Sequence, residues 1–190
     1  MTSASTSQLS PIGLLSFPHL WVAKPPAPGA EPRFSLVLVF DADAQKTPEF
    51  KALRDACAAA AQAEWGSKRP NNLRSPIRKG EEKAYAGYGV GKVFCSFWSK
   101  DKPGIVDNRR QEILVPGDVF PGQLARVSYR AFAYNVSGNA GISLGLNNVQ
   151  ICKKDMPRLD GRKAAKDEFA DVADEGAGVG DTAADDEIPF

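Results

Sequence analysis

A mainly β protein, folded as a small antiparallel barrel with one helix, is the class that the sequence predicts. Five or six strand-like segments surround a single amphipathic helix-like segment, and the breaks between them fall on Pro, Gly and Asn. One helix among so many strands favours a barrel over a parallel α/β sheet. At 190 residues, 43% hydrophobic and 25% charged, the chain suits one domain with a real core plus appendages.

Residues 1–11 are small and polar and read as a flexible N-terminus. Ile12 to Val22 is a first strand, interrupted at Pro18. KPPAPGAEP, from Lys24 to Pro32, is a linker loop, because its prolines fix φ and lack donors. RFSLVLVFD, Arg33 to Asp41, is a buried strand rich in β-branched and aromatic residues. Pro48 opens a helix over about 48–65, with Phe50, Leu53, Cys57, Ala60 and Ala61 at three-to-four spacing, and Gly66 stops it. Gly66 to Lys83 is a long loop with six bases and two acids. Strands are expected near Tyr88–Ser99, Glu112–Val115, Gln123–Val136 and Gly141–Ile151, with turns at Lys102-Pro103-Gly104, Pro116-Gly117-Asp118 and Gly138-Asn139. KAAKDEFADV offers one or two helical turns, and GAGVGDTAADDEIPF lacks the apolar bulk to fold by itself. The expected organisation is thus a flexible segment 1–11, a domain 12–166 and a disordered acidic tail 167–190.

The net charge of +1 conceals two unlike parts. All 24 Lys and Arg lie within residues 1–166, whereas nine of the 23 acids lie within 167–190; the body carries +10 and the tail −9. A body this basic favours polyanions. Cys57, Cys95 and Cys152 are odd in number and form no C-x-x-C pair, so neither a disulfide framework nor a cysteine metal site is expected. MTSASTSQLSPIG has no charged n-region and no long apolar core, and no stretch is apolar enough to span a membrane. The expected compartment is reducing and cytoplasmic.

No catalytic site or cofactor is expected. The single histidine, His19, sits beside Pro18 in an apolar strand and reads as structural. GYGVGKV, Gly87 to Val93, fails the phosphate-loop pattern at Ala86 and Val93. Asp41 and Asp43 are explained as well by a strand-end turn as by a divalent ion.

Alternate strand residues share a face, and two strands show the same division. In GKVFCSFWSK, Val93, Cys95 and Phe97 suit a core, while Lys92, Phe94, Ser96, Trp98 and Lys100 interleave bases with rings. In QLARVSYRAFAYN, Ala125, Val127, Tyr129, Ala131 and Ala133 suit a core, while Arg126, Ser128, Arg130, Phe132 and Tyr134 face the other way. Cations that follow phosphates and rings that stack on unpaired bases fit single-stranded nucleic acid. The expected binding residues are therefore Lys92, Phe94, Trp98, Lys100, Arg126, Arg130, Phe132 and Tyr134, with Arg74, Arg78 and Lys79 of the loop as a less specific phosphate clamp. The competing reading packs these rings in a core and leaves the bases to solvate a surface.

A 24-residue flexible tail spans roughly 25–30 Å, against a radius of gyration near 15 Å for a domain of about 150 residues. It can reach a basic groove on its own body and compete there with DNA. Its tip, Asp185, Asp186, Glu187, Ile188, Pro189 and Phe190, ends on an apolar triplet that solubility does not require and that suits a pocket on a partner.

DDEIPF resembles the C-terminal tip of bacterial single-stranded DNA-binding proteins, which docks replication, recombination and repair enzymes. The body resembles a family of bacteriophage single-stranded DNA-binding proteins, through LLSFPHLW (Leu14 to Trp21), KPGIVD (Lys102 to Asp107), GISLGLNNVQ (Gly141 to Gln150) and DGRKAAKDEF (Asp160 to Phe169). This resemblance implies an OB-fold that coats single-stranded DNA in the host cytoplasm, and it admits a homodimer. No motif of the family assigns the stacking rings, so the groove residues rest on strand parity. The rival classes are an RNA-binding chaperone of cold-shock type and an interaction adaptor that binds no nucleic acid, with an unrecognised nuclease more distant.

Overall fold

The computed structural model describes residues 7–136, 138–163 and 165–170. They form the strands β1 (Gln8–Leu9), β2 (Gly13–Lys24), β3 (Arg33–Phe40), β4 (Ile77–Lys79), β5 (Val93–Ser99), β6 (Gly104–Val106), β7 (Leu124–Val136) and β8 (Asn139–Lys153). The helices are α1 (Pro48–Trp65) and the single turn α2 (Ala165–Glu168). The five longest strands close a ring in the order β7–β2–β3–β5–β8 and back to β7. All ladders of the ring are antiparallel except β5–β8, which is parallel. Strict alternation cannot close on an odd number of strands, so one parallel pair is unavoidable. The ring is irregular: β2–β7 and β5–β8 each join through only two residue pairs. This is the five-stranded, partly open arrangement of the OB-fold.

The core fills the ring. Leu36, Leu38 and Phe40 of β3, Cys95 and Phe97 of β5, and Ala125, Val127 and Tyr129 of β7 are buried on its inner side. Helix α1 covers one opening. Thr47 caps it by accepting from the Phe50 amide, Pro48 stands at its first turn, and Gly66, at φ 52°, ends it. Its Phe50, Leu53 and Ala61 are buried, and the Phe50 ring meets Phe40 edge-on at 5.7 Å. The three cysteines are free, and burial pushes the Cys57 thiol up to about 11, which keeps it protonated and unreactive. Asp41 Oδ1 accepts from the amides of Asp43 and Ala44, the structural use of that acid. Among the described residues no helix is long and apolar enough to cross a membrane.

The strand expected near Tyr88–Ser99 begins only at Val93, and four further elements depart from expectation where the ring is incomplete. Residues 7–11, expected to be loose, include β1, which pairs with β7 beyond the point where β2 leaves it; Ser10 is buried and exchanges hydrogen bonds with Val127. The expected turn at Gly104 opens β6, which pairs with β8 past the end of β5. Glu112–Val115 is not a strand: Glu112 makes one bridge to Val106, and Leu114 and Val115 remain exposed. Finally, the loop 66–83 contains β4, which covers the stretch of β5 edge that β8 leaves free, and Arg74 exchanges backbone hydrogen bonds with Ala140 and Ile142. Unpaired edge groups at a short closure need partners, and this loop supplies them.

Candidate nucleic-acid interface

Strand pairing brings separate outward-facing residues onto one rung. Trp98 of β5 lies beside Ser35 of β3 on one side and Gly145 of β8 on the other; Ser35 lies beside His19, and Gly145 beside Arg130 of β7. Next along β8, Ser143 lies opposite Phe132, and Gly141 opposite Tyr134. Small residues on this strand leave room for large neighbours to lean across it. A Cβ on Gly145 would lie 3.2 Å from Arg130 Cγ and 3.5 Å from Phe132 Cε1, and one on Gly141 would collide with the Tyr134 ring. Trp98 Nε1 donates to Ser143 Oγ at 2.7 Å, and its ring meets Phe132 edge-on at 5.7 Å. The Arg33 guanidinium lies over Trp98, 4.6 Å from the ring centroid. Arg33, Trp98 and Phe132 thus form a continuous cationic and aromatic ridge, with Arg130 beside it across Gly145.

Hollows flank the ridge. One, of about 290 Å³, is floored by Ser35, Val37 and Ser96 and bounded by Phe17 and His19 opposite Arg33 and Trp98. The other, of about 230 Å³, lies between Trp98, Arg33, Lys100 and the Pro-rich loop, with Pro26, Glu31 and Pro32 on its rim. Lys100 Nζ is paired with Glu31 at 2.5 Å, and both side chains are exposed. The hydrogen bond and charge of Lys100 hold the Glu31 carboxyl below its ordinary range, so the pair is ionised at neutral pH. A phosphate reaching Lys100 has to displace this carboxylate. His19 is not in the core: it lines the larger hollow, and partial burial together with Lys24 lowers its pKa. Among the described residues no group of three His, Cys, Asp or Glu is placed to hold a metal ion.

The family model described as the single-stranded-DNA-binding protein of Enterobacter phage Enc34 matches residues 13–179. This chain belongs to that family. Among solved structures, the single-stranded DNA-binding protein of bacteriophage Enc34 in complex with ssDNA is similar at 18% identity and TM-score 0.67, covering 78% of this chain and 87% of that one. The same phage protein in another structure, at 18% identity, gives TM-score 0.63 over 85% of this chain and 89% of that one. The bacteriophage T7 protein gp2.5, a single-stranded DNA-binding protein, is 18% identical with TM-score 0.58, covering 95% of this chain and all of that one. Among curated proteins, none matches the chain.

In this family member, other residues expected in the groove have different surroundings. Phe94 is only 4% exposed, with Tyr88 edge-on at 5.2 Å and the Arg78 guanidinium 5.2 Å from its centroid, so its faces are taken and it supports the surface from beneath. Lys92 precedes β5, and its ammonium donates to the Gly87 carbonyl at 2.8 Å, tying down the loop that carries Tyr85 and Tyr88. Arg78 is held by Glu82 at 2.6 Å, whereas Arg74 and Lys79 are exposed. Arg126 donates to Gln150 and lies four residues from Arg130, about 13 Å along β7, beside a separate hollow with Leu9 and Arg110. The tip residues Asp185 to Phe190 lie outside the described residues.

Sequence reasoning missed Arg33, Phe17, Tyr85 and Glu31. Parity along RFSLVLVF could have found the first, since Arg33, Ser35 and Val37 alternate with Leu36, Leu38 and Phe40. Replacing Lys92 by Met should speed amide exchange across residues 84–91 by roughly fivefold, the equivalent of about 1 kcal/mol for one lost hydrogen bond. Hydrogen-exchange mass spectrometry checks this, and unchanged exchange would show that Lys92 holds nothing in place.

Proposed function

We propose that this protein binds single-stranded DNA with little regard to sequence, coating it during phage replication and recombination in the host cytoplasm. The observation that carries the reading is the rung that joins Trp98 to Arg130 across Gly145, with Arg33 stacked on the same indole. Cations and rings from three strands there share one face, which is what an unpaired strand requires: phosphates follow the cations, and bases stack at about 1–3 kcal/mol each. Duplex DNA hides its base faces and would leave the rings unused. Family membership supports the same reading. Arg33, Arg130, Trp98 and Phe132 form the centre of the site, Tyr134 extends it along β7, and Lys100 joins once Glu31 is displaced. The exposed Arg74 and Lys79 contribute long-range attraction to phosphate, and no catalytic step is assigned to the chain.

The tail from 167 onward acts as an internal competitor and a recruiter in this reading. Nine acids on a chain long enough to reach the groove oppose DNA there, and the freed tip, Asp185 to Phe190, docks replication and recombination proteins. Deleting residues 167–190 should tighten oligo-dT binding while abolishing capture of such partners. Weaker DNA binding by the truncated protein would refute the competition.

Affinity for oligo-dT, followed by fluorescence titration, should fall with salt at a slope of roughly −0.7 per phosphate contacted. Arg130→Gln should lower affinity and reduce that slope by about 0.7. Equal titration with RNA of the same sequence would point to a cold-shock-type activity instead, and affinity independent of salt would sink the reading altogether. Binding should also tighten as pH falls below the ordinary histidine range. The lowered pKa leaves His19 neutral at pH 7, protonation adds a cation beside the ridge, and a bound phosphate favours the charged form. His19→Gln should remove that pH dependence in titrations between pH 5 and 8.

A further inference from the structure

Phe17 is one of two non-glycine residues with positive φ among the described residues, at 46°. It sits where Ser16 pairs with Val37 and His19 with Ser35, so three steps of β2 oppose two of β3: a bulge with a large aromatic at its apex. Such a conformation is costly for a bulky residue and persists only when its surroundings enforce it. They do so here with a row of rings. Phe17 meets Tyr85 edge-on at 5.0 Å, Tyr85 meets Tyr88 at 5.6 Å, and Tyr88 meets the buried Phe94. Yet Phe17 remains 43% exposed. A bulge and three supporting rings hold one aromatic up in solvent, at the edge of the hollow whose opposite wall is Arg33 on Trp98.

β2 and β5 lie two strand spacings apart across β3, about 10 Å. Stacked bases of one strand lie about 3.4 Å apart, so two bases between two flat walls make three such gaps and fill that distance. The floor between the walls is low, because Ser35, Val37 and Ser96 are small. Lys24 and Arg33 border the hollow, and neither is paired with a carboxylate among the described residues. We propose that Phe17 and the Arg33–Trp98 pair are the two ends of a slot that takes two stacked nucleobases of single-stranded DNA. This rests on the reading that the chain binds single-stranded DNA on this face, and it extends the site from the ridge across β3 to β2.

Phe17→Gly in the full-length protein tests it, since glycine accepts the positive φ and the backbone is relieved as the ring is removed. Oligo-dT affinity should fall roughly tenfold, within the range for loss of a stacking partner, with no drop in melting temperature. Combined with Trp98→Leu, the losses should be less than multiplicative, because each variant removes a wall of the same two-base stack. Phe17→Gly within about twofold of wild type, or losses that multiply, would overturn the slot. Ultraviolet crosslinking of wild-type protein to oligo-dT avoids any folding defect: crosslinks at both Phe17 and Trp98 support the slot, and crosslinks at Trp98 with none at Phe17 overturn it. Wild-type protein that fails to bind oligo-dT would remove the broader reading as well, whereas normal wild-type binding with an unaffected Phe17→Gly removes the slot alone.

Discussion

Two residue pairs of parallel ladder, Phe97 beside Leu144 and Trp98 beside Gly145, hold together the face that carries the candidate site. They close a ring of five strands that could not close by antiparallel pairing alone. On the inner side they join Phe97 and Leu144 in the core; on the outer side they set Trp98 one strand away from Arg130. A closure this short leaves edges unpaired, and β1, β4 and β6 occupy them. The basic loop 66–83 is therefore part of the wall of the ring, anchored at Arg74 and along β4.

The outer face works by contrast in side-chain size. Gly141, Ser143 and Gly145 keep β8 low, so that Phe132 and Trp98 can lean over it and touch, with Arg130 leaning over Gly145 beside them. Ser35 and Val37 keep β3 low in the same way, but there the large residues stay apart and a hollow remains. Rings that meet form a platform; rings held apart by a low floor form a slot. The packing of two strands with small outward residues thus yields two kinds of surface on one face.

Charge is distributed with restraint on this face. Arg33 and Arg130 are free of carboxylates among the described residues, whereas Lys100 is paired with Glu31 and Arg78 with Glu82. Exposed pairs of this kind contribute little to stability, with a median of about 0–1 kcal/mol. A polyanion can therefore exchange partners with them at small cost, and their effect falls on how tightly an incoming strand is held. In the proposed function, the acidic residues from 167 onward add the same opposition at longer range.

The sequence by itself determined the helix 48–65, the long strands, the inward sets Cys95–Phe97 and Ala125–Val127–Tyr129, and the division of charge between body and tail. Each of these rests on local periodicity, capping or composition, which neighbours along the chain are enough to specify. Tertiary structure decided which outward residues are available. Phe94 and Trp98 share one parity on one strand, yet Phe94 lies under Tyr88 and Arg78 while Trp98 remains at the surface, because β4 and its loop fold over only one end of β5. Lys92 and Lys100 look alike in sequence, but one is spent on a loop carbonyl and the other on Glu31. Parity states which side of a strand a residue faces; what lies above that side comes from segments distant in the chain, and only the closed ring brings them there.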